Sequence, residues 1–251
     1  MNLLAIDSAA SVLSVAAAAG DKIFYSETDA GMRQSEIVIK CIDEQIRNAA
    51  LNPCDLNGII CMGGPGSFTG LRIGYSAAKG LALSLSIPFV PVPTLDCIAK
   101  SKEQLIINRE QKEEKIILAV MQARKSSWFY AFYRGKERLT PDRETSNNQI
   151  TDEINYYLTN GYEIIVTGPG ADSFYNNLPQ TIRTAISLNC GKRGYAKEQL
   201  AIAKEKNIFC NDNSGFLYSG PEYIRKSDAE LNLDQMPDVR YLCCQKALLL
   251  A

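Results

Sequence analysis

Apolar residues fall into short blocks along this chain, and their spacing switches from strand-like to helical. Residues 3–6, Leu-Leu-Ala-Ile, read as a buried strand, followed by a polar turn over 7–11, a second strand over 12–19, a Gly20-Asp21 turn and a third strand over 22–28. Tight turns of this kind join antiparallel neighbours. From Ser35 the period lengthens: Ile37, Val38, Cys41, Ile42, Ile46 and Ala49 recur at helical spacing and make one stripe. Residues 59–62 read as a fourth strand, a second helix begins near Gly70 and runs to about Ser86, and 89–92 read as a fifth strand. Three antiparallel strands followed by alternating helix and strand predict an α/β, ribonuclease-H-like half.

A charged run over 100–115 marks the expected boundary, and a similar series follows it. Strands are predicted over 116–121 and 127–133, a turn at Gly135-Lys136, a helix over 151–159, and a strand over 163–167 that ends at Gly168-Pro169-Gly170. This second strand-to-glycine unit echoes the first and suggests duplication. The predicted architecture is therefore two ribonuclease-H-like lobes, the actin/Hsp70/sugar-kinase arrangement. The first lobe covers 1–100 and the smaller second lobe 101–214. The segment 215–251 is expected to return to the first lobe, because 239–250 is strongly apolar and needs a packing surface.

The stretch GGPGSFTG over 63–70 holds four glycines and a proline in eight residues. Such a loop serves as a phosphate or backbone cradle at a helix N-terminus, or as a tight strand-to-helix turn. The GxxxxGK[ST] phosphate-loop pattern is not met, since Leu71-Arg72 follows Gly70. Candidate phosphate contacts are Asp7, Ser8, Gly64, Ser67 and Thr69. Asp7 suits water-mediated Mg²⁺ coordination or capping of the hairpin turn. Beyond Gly70, the residues Gly74, Ala77, Ala78 and Leu81 form a small-residue stripe, which lets either a partner helix or the chain's own sheet approach closely. Ile73 and Tyr75 lie off that stripe.

Composition narrows the chemistry. The chain has 251 residues, 27 basic against 28 acidic, so no basic excess favours independent binding to nucleic-acid phosphates. Eight cysteines occur without a CxxC pair and read mainly as small core residues, and no metal site is expected. The longest apolar stretch, 81–92, is too short to span a bilayer, and a cytoplasmic location without membrane contact is expected. There is no histidine, which removes Ser-His-Asp chemistry, histidine acid/base catalysis and every imidazole-based metal site.

The stretch over 63–82, GGPGSFTGLRIGYSAAKGLA, resembles the signature of the TsaB/YeaZ family, accessory subunits of the bacterial assembly that makes threonylcarbamoyladenosine in tRNA. Supporting matches are LLAIDSAASVLSVAA over 3–17, RQSE over 33–36, QARKSSWFYAFY over 122–133, TGPGA over 167–171 and PEYIRKSDAE over 221–230. Gln34 stands where the family usually has histidine, and Gln122 where an acidic residue is common. The resemblance implies a non-catalytic subunit that pairs with a TsaD-type catalytic paralogue. A TsaE-type small ATPase, a homodimer, and tRNA reached only through the complex are further implied partners. No cofactor is expected on this chain alone, with ATP and Mg²⁺ assigned to a complex interface. The expected contact surface is the helix pair, with Ile37, Val38, Cys41, Gly70, Ile73, Gly74 and Ala77. Two other readings stand beside it. One is an ATPase or phosphotransferase of the same fold, using Asp7, the glycine loop and Asp96 as base; its weakness is that Ser8-Ala9-Ala10 follows Asp7 where active members place glycine. The other is a metal-dependent peptidase, against which the missing histidine stands.

Overall fold

Strand pairing builds two sheets that share one internal order. The computed structural model describes residues 1–105, 115–124, 126–189, 191, 193–210 and 214–224. In the first lobe, β1 (Asn2–Asp7), β2 (Val12–Ala19) and β3 (Lys22–Asp29) run antiparallel, and β4 (Gly58–Gly64) and β5 (Phe89–Pro93) add in parallel beside β1, giving the order β3-β2-β1-β4-β5. The helices α1 (Gln34–Asn48) and α2 (Phe68–Leu85) cover one face, and α3 (Thr94–Lys100) follows β5. In the second lobe, β6 (Lys115–Arg124), β7 (Ser127–Arg134), β8 (Glu137–Arg138), β9 (Arg143–Ser146), α4 (Asn147–Thr159), β10 (Glu163–Thr167), α5 (Ala171–Asn176), α6 (Gln180–Arg183) and β11 (Ser187–Leu188) make a sheet ordered β11-β10-β6-β7-β8, with β9 also on β7. Read from the far edge, β8-β7-β6-β10-β11 repeats β3-β2-β1-β4-β5. The last helix, α7 (Ala196–Glu205), belongs to neither run of strands.

Period-two alternation explains how both faces of each central strand are buried. Leu4 and Ile6 point into the α1/α2 layer, while Leu3 and Ala5 point the other way. Ile116, Leu118 and Val120 pack under α4, α5 and α6, while Ile117, Ala119 and Met121 turn inward. The two inward faces meet a shared middle layer made of α3 and α7. Leu95, Ile98, Leu200 and Ala203 pack there in one apolar cluster with residues from both sheets. Gln199 Nε2 donates to Ile6 O at 3.0 Å, and the Ala196 N–H donates to Ser14 Oγ at 3.1 Å, so α7 is bonded directly to the first sheet. Residues 196–205, which the sequence boundary assigned to the second lobe, therefore pack on the first sheet. The buried side of this ten-residue helix is made of Ala196, Gln199, Leu200, Ile202 and Ala203, and the glutamine breaks the apolar stripe that would have revealed it.

Two further differences from the sequence reading have physical causes. The second helix begins at Phe68 and not near Gly70, because Ser67 caps it: Ser67 Oγ accepts the Gly70 N–H at 3.3 Å. With Gly63 and Gly64 inside β4, only residues 65–67 of the glycine stretch are loop. The described C-terminal part, residues 214–224, runs along the first lobe, where Lys79 Nζ donates to Leu217 O at 2.8 Å and also to Ser219 O. The apolar stretch 239–250 and most of the charged run, 106–114, lie outside the described residues.

Candidate functional site

The turn after β1, the start of α2 and the glycine turn after β10 converge where the lobes meet. A cavity of about 760 Å³ opens there, lined on the first-lobe side by Ala9, Ser11, Gly66, Ser67 and Thr69, and on the second-lobe side by Met121, Gln122, Phe129, Pro169 and Gly170. Volume and lining are in the range of small-ligand pockets, with apolar walls and a few polar groups. Glu222, Tyr223 and Ile224 of the C-terminal part form a third wall, and Gln122 N–H donates to Pro169 O at 3.2 Å to fix the second glycine turn. A smaller adjoining cavity of about 250 Å³ carries Asp172 and Arg193, the latter ion-paired to Glu198.

The five phosphate candidates separate in this geometry. Ser67 and Thr69 line the cavity, whereas Asp7, Ser8 and Gly64 do not. Asp7 is buried, and both its oxygens are taken by backbone: Oδ1 accepts the Ala9 N–H at 3.0 Å and Oδ2 the Tyr195 N–H at 2.8 Å. Burial lifts its pKa from 3.8 to about 6, and the two backbone hydrogen bonds pull it down. Its role is to tie the first hairpin to the residue that precedes α7. Ser8 Oγ donates to Gly70 O at 2.7 Å and so ties the same hairpin to α2.

That contact also explains the small-residue stripe. A Cβ on Gly70 would lie 2.0 Å from Ser8 O, and one on Gly74 would lie 2.4 Å from Ser8 Oγ. These two glycines serve the close seating of α2 on its own hairpin, so the small-residue stripe is occupied at these positions by the chain itself. Val38 and Cys41 are likewise buried inside the chain, packed between α1 and the first sheet. Ile37, Ile73 and Ala77 keep part of their surface outward while packing on the same cluster, and Ile73 also lines the cavity. Met32 just ahead of α1 is 99% exposed, and Ile39 and Leu83 are each 60% exposed. Sequence reasoning passed over these three, because each lies off a buried stripe.

The remaining candidates take structural places. Gln34 is buried and its Nε2 donates to Ala10 O, pinning the start of α1 to the first hairpin turn. Asp96 Oδ1 accepts from Tyr133 Oη at 3.0 Å and from Arg138 Nη2 at 2.6 Å, so it closes an ion pair between α3 and β8 and is not free to act as a base. Burial pushes the Cys61 and Cys97 thiols well up, as for inert core cysteines, while Cys54 is exposed. Among the described residues, no helix is long and apolar enough to cross a membrane.

Comparison with known proteins gives one consistent answer. The family model described as "TsaD: tRNA N6-adenosine threonylcarbamoyltransferase" matches residues 28–165, more than half of the chain. The tRNA threonylcarbamoyladenosine biosynthesis protein TsaB of Bacillus subtilis is 24% identical over 237 residues, covering 92% of this chain and 96% of that protein. The TsaB protein of Haemophilus influenzae is 29% identical over 139 residues, but the match spans 55% of this chain and 56% of that one. A Pseudomonas aeruginosa crystal structure, described as an uncharacterized protein with similarity to peptidase YeaZ, shares the fold with a TM-score of 0.74 at 19% identity, over 89% of this chain and 99% of that one. With two sheets of matching order around a shared helical layer, the chain belongs to the family that the TsaD model describes and, within it, to the TsaB/YeaZ proteins.

Proposed function

We propose that this chain is a non-catalytic subunit in the biosynthesis of threonylcarbamoyladenosine in tRNA, and that it pairs through the outer face of α1 and α2 with a TsaD-type catalytic paralogue. The observation that carries the reading is that outer face. Ile37, Ile73 and Ala77 are left partly uncovered on two helices that already shield one side of a sheet, with Met32 wholly exposed beside them. Apolar surface gathered on one helix pair marks an interaction site. The names of the TsaB relatives supply the pathway. The missing histidine and the balanced charge support a subunit that reaches tRNA through its assembly. A TsaE-type ATPase, a homodimeric resting state, ATP with Mg²⁺ at a complex interface and a cytoplasmic location belong to the same proposal.

The phosphotransferase reading loses its main support with Asp7, whose oxygens are both engaged by backbone away from the cavity. The test is reconstitution. Threonylcarbamoyl transfer to tRNA is expected only when the paralogue is added, and Ile73→Asp or Ile37→Asp is expected to fold normally while weakening pairing at least tenfold. An unpaired charge in a desolvated helix contact costs several kcal/mol. Unaltered affinity in both folded variants would exclude this face.

A further inference from the structure

The two lobes share one apolar middle layer. The far ends of α3 and α7 are pinned as well: Lys100 Nζ is paired with Glu103 and with Glu205, the latter at 2.5 Å, and Lys136 in the β7–β8 turn lies 3.4 Å from Glu205. Opening the inter-lobe cavity by hinging the lobes apart would break that layer. The third wall of the cavity is built differently. Residues 214–224 form no strand pair, and Tyr218 is 91% exposed.

Among the described residues, the polar and aromatic anchors of this segment lie on α2 and the glycine stretch, while Leu217 and Ile224 pack on the edges of the apolar clusters and residues 214–217 lie beside β5. Lys79 holds the carbonyls of Leu217 and Ser219. The Tyr223 ring stacks on Phe68 at 4.6 Å between centroids, and Tyr223 Oη accepts from Arg72 Nε at 3.2 Å. The Arg72 guanidinium in turn lies 3.9 Å over the Phe68 ring. One backbone bond completes the set, from Glu222 N–H to Gly63 O at 2.7 Å. Gly64 admits this crossing: its φ is +115°, and a Cβ there would lie 2.3 Å from Glu222 O. None of residues 215–224 is fully buried, and the Arg72–Tyr223 bond faces solvent; partial burial and exposed hydrogen bonds are the marks of a segment that opens below the global unfolding free energy.

We propose that residues 214–224 are a strap that undocks as a unit from α2 and the glycine stretch, opening the inter-lobe cavity at its Glu222–Ile224 wall while both sheets stay in place. Phe68, at the start of α2, loses its Tyr223 cover together with the strap, so access to the cavity and exposure of the helix start are one event. The strap stands independently of the pairing surface: its anchors Phe68, Arg72 and Lys79 lie on a different flank of α2 from Ile73 and Ala77.

Hydrogen exchange read by mass spectrometry on the full chain tests this. In Arg72→Ala and, separately, in Lys79→Met, exchange in peptides covering 63–70 and 214–224 is expected to accelerate together, by about tenfold, with β1, β6 and α7 as protected as in the parent. Acceleration of the strap alone, with 63–70 unchanged, would show that the strap does not hold the cavity wall and would overturn the proposal. Loss of protection in β1, β6 and α7 in both variants would make residues 214–224 an integral part of the core and overturn it equally.

Discussion

Replacing Asp7 with alanine isolates the one carboxylate that the fold buries at the junction of the first hairpin and α7. Burial lifts its pKa from 3.8 to about 6, the Ala9 and Tyr195 N–H groups oppose that lift, and Glu198 and Arg193 act on it with opposite signs. The folded value lies above the unfolded one, so the folded state holds this proton more tightly. The associated stability is fully present below 3.8 and is lost as pH rises through about 6. The full span is worth about 3 kcal/mol, of which about 1.4 kcal/mol returns on going from about pH 7.5 to about pH 5. Asp7→Ala abolishes that slope and leaves two buried N–H groups without acceptors, at about 1–3 kcal/mol each. Urea titrations at the two pH values are therefore expected to give a cost for Asp7→Ala that is larger at pH 5, by about 1 kcal/mol. Asp142, which burial also lifts to about 6, titrates in the same window, but it is present in both proteins and cancels in the difference. A cost that is equal at both pH values, or larger at pH 7.5, would refute the assignment of Asp7 as a carboxylate held against its own desolvation.

Gly70→Ala drives a Cβ into Ser8 O, a backbone atom that cannot swing aside, and is expected to cost about 1–3 kcal/mol in denaturant titration; a change below about 0.5 kcal/mol would show that α2 is not seated on the hairpin as described. Asp96→Ala takes the acceptor from Tyr133 and from Arg138, which is partly solvent-screened, and is expected to cost about 2 kcal/mol; combined with Arg138→Met the loss should be less than additive, and full additivity would deny the coupling.

How much of this was legible in the sequence follows the length of each periodic signal. The runs at 12–19 and 127–133 are near-continuous apolar blocks of strand length, buried on both faces, and α1 announces itself through Val38, Cys41, Ile42 and Ile46. The strands β8 and β11 have two residues each and present no period at all. The helix α7 was missed because its burial comes from being sandwiched, with Gln199 as deep as Leu200. A glutamine buried for the sake of one carbonyl on β1 looks like a surface residue until the sheet is in place. At the site, the sequence displayed the small residues of α2 without saying what approaches them. Ser8, six decades of residues earlier in the chain, supplies the answer, and no spacing rule connects the two.

The repeated strand order gives the missing chemistry a structural meaning. In both lobes a glycine turn follows the strand that lies parallel to the central one, β4 in the first and β10 in the second, and both turns face the same cavity. In both lobes the end of the central strand also reaches that region, with Asp7 on β1 and Gln122 on β6. Neither presents a free carboxylate: Asp7 is spent on two backbone N–H groups, and Gln122 is an uncharged amide. Among the described residues, the carboxylate that lines the main cavity is Glu222, carried by a segment that is nowhere fully buried, and phosphoryl or acyl transfer requires groups held to within a fraction of an ångström. A lobe pair that keeps the cradle but spends its fixed acid on internal bonding favours the proposed pairing role, so the outer face of α1 and α2 is the surface to test before the cleft.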